Sequence, residues 1–200
     1  MNGSNTEHEV FRDPAFVERL RIGEAEATQA VIRAYLPQVV RAARGAGLSA
    51  DAAEDVAQAS FLTFLNVVKR FEGRSHVRTF LFGILYKKVA ETRRQQARER
   101  RSDSIDDVME RRFRPDGHWH TPPRPIDERF DDGEVRQQID GCLEGLSLNQ
   151  RMAFVLRESE DLATEEICKI LDVSRTNLGV LLYRARNRLR ECLEARGVRP

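Results

Sequence analysis

The chain has 200 residues, with 33 Lys plus Arg against 32 Asp plus Glu, a formal net charge of +1 and 40% hydrophobic residues. That length holds one ordinary domain or two small ones, and the near-neutral total carries no information about partners because it averages over strong local asymmetry. No apolar run approaches the roughly 20 residues needed to cross a membrane. Membrane insertion is therefore not expected. The polar start "MNGSNTEHEV" lacks the basic and apolar blocks of a secretory signal, so the expected location is the cytoplasm.

In chain order the pattern is helical. From Phe16 to Arg44 apolar residues recur at helical spacing, as in Val17, Leu20, Ala27, Ala30, Val31 and Ala34. Pro37 either kinks this stretch or separates two helices. "GAGLS" (Gly45–Ser49) is a break, and a further helix is predicted from Asp51 to Arg70 with acids in its first turns, where the helix dipole favours them. "FEGRSH" (Phe71–His76) reads as a short loop whose Ser75 can cap the next helix, which runs to about Arg101. No alternating strand pattern of useful length occurs.

The stretch 102–132 differs: Pro115, Pro122, Pro123 and Pro125 among many charges give the composition of an extended linker. Trp119 inside it is expected to dock, against the chain's own domain in preference to a partner. Cys142, Cys168 and Cys192 are odd in number, widely spaced and set in helical patterns, which predicts buried or partly buried thiols. "HWH" (His118 and His120) does not complete a zinc-ligand spacing, so neither a metal nor any other cofactor is expected. The fold class is all-α: two small helical domains, 13–101 and 133–196, joined by a flexible linker, 102–132.

The second domain carries the sharpest pattern. "DLATEEICKILDVSRTNLGVLLYRARNRL" reads as helix, tight turn, helix. Ile167, Ile170 and Leu171 supply one apolar face; Leu178, Leu181, Leu182, Ala185 and Leu189 supply the other. The turn at Asp172 needs a residue that tolerates positive φ, and Ser174 stands where an N-cap is wanted. This is the spacing of a DNA-binding helix-turn-helix, whose second helix enters the major groove. On a wheel at 100° per residue, Thr176, Val180, Tyr183, Arg184 and Asn187 lie opposite the apolar arc, with Arg186 and Arg190 on one flank and Arg188 on the other. Central side chains of such a helix reach base edges while flanking cations meet phosphates. Val180 suits a thymine methyl. A merely solvated basic helix would leave Val180 and Tyr183 exposed without purpose, so DNA is the favoured surface.

"LSLNQRMAFVLRESEDLATEEICKILDVSRTNLGVLLYRARNRLRE" resembles the C-terminal domain of bacterial RNA polymerase sigma factors of the extracytoplasmic-function (ECF) branch, which reads the −35 promoter element. "DAAEDVAQASFLTFLNVVKRFEGRSHVRTFLFGILYKKVAETRR" (Asp51–Arg94) resembles the N-terminal domain of the same family. The pair, in the family's order and with nothing but a linker between, is far more specific than a helix-turn-helix alone. The resemblance implies a promoter-specificity subunit, not an enzyme, that binds core RNA polymerase (the β′ clamp helices and the β subunit) and helps melt the −10 element. It assigns Asp55, Gln58 and Leu62 to the polymerase. It assigns Arg74, Ser75, His76, Arg78, Phe80, Phe82, Tyr86, Lys87 and Lys88 to the −10 strand, and Arg175, Thr176, Asn177, Val180, Tyr183 and Arg184 to the −35 element.

The residues fit those tasks. Single-stranded DNA is held by cations along its backbone and by aromatic faces that stack on bases, and Lys87 to Arg101 holds seven basic and two acidic residues. One of Phe80 and Phe82, at least, is expected in the core. Where the family often carries a serine before the first helix of the helix-turn-helix, this chain has Ala163, leaving Thr164 or Asp161 as the cap. Gly179 and Val180 stand at frequent polar or basic contact positions, and His76 and Val77 at a site more often aromatic or small, so neither promoter sequence transfers from relatives. The linker's "GHWHTPPRP" is similar to ECF factors controlled by small zinc-binding anti-sigma proteins, which implies an anti-sigma factor as a further partner. The alternative, a stand-alone helix-turn-helix regulator, needs a dimer interface for two half-sites and leaves the first domain without a task. No Gly-rich phosphate loop or nucleophile–base pattern supports an enzyme.

Overall fold

The computed structural model describes residues 10–102 and 132–197, with side chains over 10–98 and 138–197. The expected linker, with His118, Trp119 and His120, lies outside the described residues. Among those described there are eight α-helices and no strand.

Helix α1, Pro14–Arg21, starts at Asp13, whose carboxylate accepts the Ala15 N–H at 3.1 Å, with Pro14 at the first helical position where a missing amide costs nothing. The chain turns at Gly23 (φ +81°) and enters α2, Ala25–Gly45. Pro37 neither separates two helices nor ends one: α2 runs through it as a single 21-residue element. Ala27, Val31 and Tyr35 before the proline, and Val39, Ala42 and Ala43 after it, are all buried on one face. That burial holds the helical register across the one missing amide. The break falls at Gly23 instead, where a left-handed backbone is needed.

Helix α3, Ala50–Val67, is capped by Ser49, which accepts the Ala52 N–H at 3.3 Å; a 3₁₀ turn, Val68–Arg70, follows it. Helix α4 is Val77–Ser102. Its cap is His76 and not the expected Ser75: the imidazole Nδ1 accepts the Arg78 N–H at 3.0 Å, and the His76 carbonyl accepts from Phe80. Ser75 lies one residue too early.

After α5, Asp132–Leu143, a full capping box of Ser147 and Gln150 opens α6, Leu148–Glu158. Helix α7, Thr164–Leu171, and α8, Arg175–Ala195, form the helix-turn-helix. Asp172 takes the left-handed conformation (φ +54°), and Ser174 accepts the Asn177 N–H at 3.1 Å, both as the sequence predicts. The cap of α7 is different from expectation. The Thr164 hydroxyl accepts from Arg157 at 2.6 Å and Asp161 has a left-handed backbone, while the Glu166 carboxylate accepts the Ala163 N–H at 3.1 Å.

Cys142 and Cys192 are disulfide-bonded, with Cα atoms 5.7 Å apart, which corrects the expectation of three thiols; Cys168 alone is free. The ends of α5 and α8 meet in a small apolar cluster with Leu143, Leu146, Ala185 and Leu189. A separation of 50 residues carries no local sign of that meeting.

The two halves share one larger core. Leu20, Val31, Tyr35, Phe64, Leu81, Phe82 and Leu85 from the first half pack in the same cluster as Met152, Leu156, Leu162, Ile167 and Leu178 from the second. Polar contacts cross the seam as well. Arg151 is buried and donates from Nε to the Gly45 carbonyl, and Arg93 donates to the Ala46 carbonyl at 3.0 Å. Both cations thus sit at the negative C-terminal end of α2. Burial, helped by the neighbouring Arg93 charge, pushes the Arg151 pKa below its usual value. Gly47 supplies the left-handed backbone of the turn, with φ +95°, and lies close beneath the Arg151 guanidinium. Arg41 pairs with Glu160 at 2.9 Å, and burial of Glu160 outweighs that partner and raises its carboxyl pKa.

Candidate nucleic-acid and polymerase interfaces

The outer arc of α8 is open. Leu178, Leu182, Ala185 and Leu189 are buried, and Arg175, Thr176, Asn177, Val180, Tyr183 and Arg184 are all exposed. Val180 and Tyr183 are among the few large hydrophobic side chains at the surface, at 40% and 68% exposure. Arg186 pairs with Glu158 at 2.6 Å, Arg188 donates to the Gly145 carbonyl at 3.3 Å, and Arg190 reaches Asn187 at 3.4 Å. The flanking arginines are therefore anchored beside the arc, in the positions that suit phosphates. Gly179 has open space around it, which lets the backbone approach closely whatever the arc meets.

Asp55, Gln58 and Leu62 form an exposed stripe on α3, with Leu62 57% exposed, opposite a buried face of Ala53, Val56, Ala57, Ser60, Phe61 and Phe64.

The nine residues assigned to the −10 strand divide sharply. Arg74 and Lys87 are exposed, Ser75 and Lys88 half-buried, and Lys88 lies 3.4 Å from Glu91. His76 is buried as the α4 cap. Phe82 is wholly buried, so the structure places it in the core and not on a stacking surface. Phe80 is partly buried and packs against Phe71 and Phe64, with ring centroids at 5.0 and 6.0 Å. Arg78 and Tyr86 are engaged by the second half: Arg78 meets Glu166 at 2.8 Å, and the Tyr86 hydroxyl donates to Asn149 at 2.7 Å. Glu166 also accepts from the Thr79 hydroxyl at 2.9 Å. Burial alone would raise the Glu166 carboxyl, but the bonds from the Ala163 N–H, Arg78 and Thr79 outweigh it and hold the pKa below the usual value.

Sequence reasoning missed Glu166, Asn149 and Arg151. Glu166 does carry a local signal, as the acid at the third position of a helix whose cap lacks an oxygen. Its second task, 88 residues back in the chain, has none. Among the described residues no group of three or more His, Cys, Asp or Glu could hold a metal, and no helix is long and apolar enough to cross a membrane.

A helix-turn-helix with an exposed outer arc, packed on a second helical unit that carries a basic helix, is an architecture suited to binding DNA. Family comparisons agree. Residues 31–99 match the Sigma-70 region 2 family and residues 136–189 match the Sigma-70, region 4 family. A Haemophilus influenzae protein described as "Probable RNA polymerase sigma factor" is 31% identical over 151 residues, spanning 72% of this chain and 78% of that one. The ECF RNA polymerase sigma-E factor of Escherichia coli K12 is 27% identical over 178 residues, spanning 89% and 92%. The chain belongs to the RNA polymerase sigma factors, in the ECF branch. Two solved structures share its fold. CnrH, in complex with the cytosolic domain of CnrY, matches at TM-score 0.67 and 18% identity over 92% of this chain and 98% of that one. RpoE of Bartonella quintana, in complex with the anti-sigma factor NepR, matches at TM-score 0.62 and 23% identity over 83% and 96%.

Proposed function

We propose that this sigma factor docks on core RNA polymerase through Asp55, Gln58 and Leu62, reads the −35 element with the outer arc of α8, and grips the melted −10 strand with α4. It acts in the cytoplasm, where its polymerase works, and an anti-sigma factor restrains it; the similar B. quintana protein is in complex with an anti-sigma factor. The boundaries proposed for the working units are 13–101 and 133–196. The observation that supports the reading is the exposed arc from Arg175 to Arg184, where cationic, polar and apolar side chains share one face, the mixture that reading base edges and thymine methyls requires. A stand-alone regulator would leave the region 2 match unused.

The polymerase assignment is tested by changing Asp55 and Gln58 together to alanine. Both are exposed, so circular dichroism should not change. Affinity for core enzyme in a fluorescence titration should fall roughly tenfold, about 1.4 kcal/mol. Unaltered affinity would remove these residues from the interface. On α4, Lys87→Ala with Lys88→Ala should slow open-complex formation and flatten its salt dependence, by roughly 0.7 in log–log slope per lost phosphate contact on a single strand. An unchanged slope would show that the lysines are only solvated.

A further inference from the structure

The second half of the chain is held unevenly. Cys142 and Leu143 at the end of α5, with Leu146 just after it, pack with Ala185 and Leu189 of α8 in the small apolar cluster. None of these three belongs to the larger core, and Ile139 on the same helix is exposed. So few apolar contacts anchor α5 weakly. The link from Cys142 to Cys192 ties it covalently to α8. Its two sulfurs are unequal: Cys142 is 3% exposed, whereas Cys192 is only half-buried and within reach of a small oxidant. Two cations cross the same gap. Arg188 and Arg196 stand one helical turn before and after Cys192, and donate to the Gly145 carbonyl at 3.3 Å and the Gln138 side chain at 3.1 Å. Positive charge beside a thiol favours the thiolate, the form that reacts.

We propose that Cys142 and Cys192 are a reversible redox site: a hydroperoxide closes the link, cellular thiols open it, and closure seats α5 and strengthens −35 reading. This rests on the proposed cytoplasmic setting, where glutathione and thioredoxin keep thiols reduced, so that the link is a state and not a permanent staple. Hydrogen peroxide alone balances the chemistry. The Cys192 thiolate attacks one peroxide oxygen, the O–O bond breaks, and the departing hydroxide takes up the thiol's proton, leaving a sulfenic acid and water. The Cys142 thiol then attacks that sulfur; the S–S bond forms, and hydroxide leaves with the second thiol's proton as a second water. The thiols are oxidised by two electrons and the peroxide is reduced by two. A dithiol reverses the link by exchange through a mixed disulfide. The effect on reading travels through the turn that follows Cys142. Its Gly145 carbonyl anchors Arg188 beside the outer arc of α8, and its Ser147 caps α6. With the link open, α5 leaves its seat more readily and Arg188 loses its anchor. Cys168 lies on α7, outside this cluster.

Two measurements on the full chain test the site. In the first, reduced protein is treated with hydrogen peroxide, trapped with N-ethylmaleimide and mapped by mass spectrometry. Cys142 and Cys192 should become joined while Cys168 is still alkylated, and reduced thioredoxin should reopen the pair without denaturant. A pair that stays open under peroxide, or that no reductant opens in the folded chain, overturns the proposal. So does a pair already joined in acid-quenched, unstressed cells, which removes the cytoplasmic premise. In the second, the chain is oxidised or reduced, freed of reagent and only then mixed with core enzyme, so that polymerase thiols are spared. Transcription from a promoter that the parent opens should be about threefold stronger with the oxidised chain, in proportion to the fraction with α5 seated. A Cys142→Ser, Cys192→Ser variant should match the reduced parent and ignore peroxide, whereas Cys168→Ser should respond as the parent does. Equal activity of the oxidised and reduced parent overturns the switch, and that comparison needs no substituted chain to fold. Failure of both parent forms to direct core enzyme to any promoter would overturn the sigma reading instead, which keeps the two failures apart.

Discussion

Replacing Phe82 with alanine is expected to cost about 3–5 kcal/mol of folding stability, the usual loss when a large aromatic side chain leaves a closed core. Phe82 has no exposed surface and sits in the cluster shared by both halves of the chain. No solvent can enter to compensate, and the flanking Leu81 and Leu85 are themselves fully buried. For a chain of this size each kcal/mol lowers Tm by about 2–4 °C, so a drop on the order of 10 °C should appear in a thermal melt. Phe80→Ala should cost less, since that ring is only partly buried. The comparison separates two roles that a sequence resemblance runs together. If Phe82→Ala melted within a degree of the parent yet failed to open promoters, the ring would be a base-stacking group after all.

Arg184→Ala should weaken transcription by holoenzyme by about 1–3 kcal/mol, and the loss should depend on the −35 sequence. Arg184 is exposed on the central arc of α8, in line with Thr176, Val180 and Tyr183. Arg190 is two turns from that arc's middle and is drawn towards Asn187 and Glu194. Its truncation should cost less and act alike on every −35 sequence, because phosphates carry no base identity. In vitro transcription from promoters with single −35 substitutions reads both. Equal, sequence-blind losses for the two arginines would mean that α8 enters the groove by another edge.

What the sequence made legible is what local geometry dictates. The left-handed turn at Asp172, the cap at Ser174, and the division of α8 into a buried arc and an open arc all follow from neighbours within one or two helical turns. The continuity of α2 through Pro37 was not legible, because it depends on burial of six side chains by other helices. Nor were the contacts of Arg78 with Glu166, Arg41 with Glu160 and Arg151 with Gly45, which join residues 88 to 119 positions apart. No periodicity encodes such pairs. They are set by how two amphipathic surfaces meet, and the same meeting decides which assigned −10 residues face water and which are covered.

The link between Cys142 and Cys192 has a topological consequence. It turns residues 142–192 into a covalent ring, and every side chain assigned to the −35 element lies on that ring, together with Asn149, Glu160 and Glu166. A single peptide-bond cut anywhere inside it would release nothing while the link holds. The nicked reading head would travel as one piece on a non-reducing gel, and would come apart into two fragments only once the sulfurs were reduced.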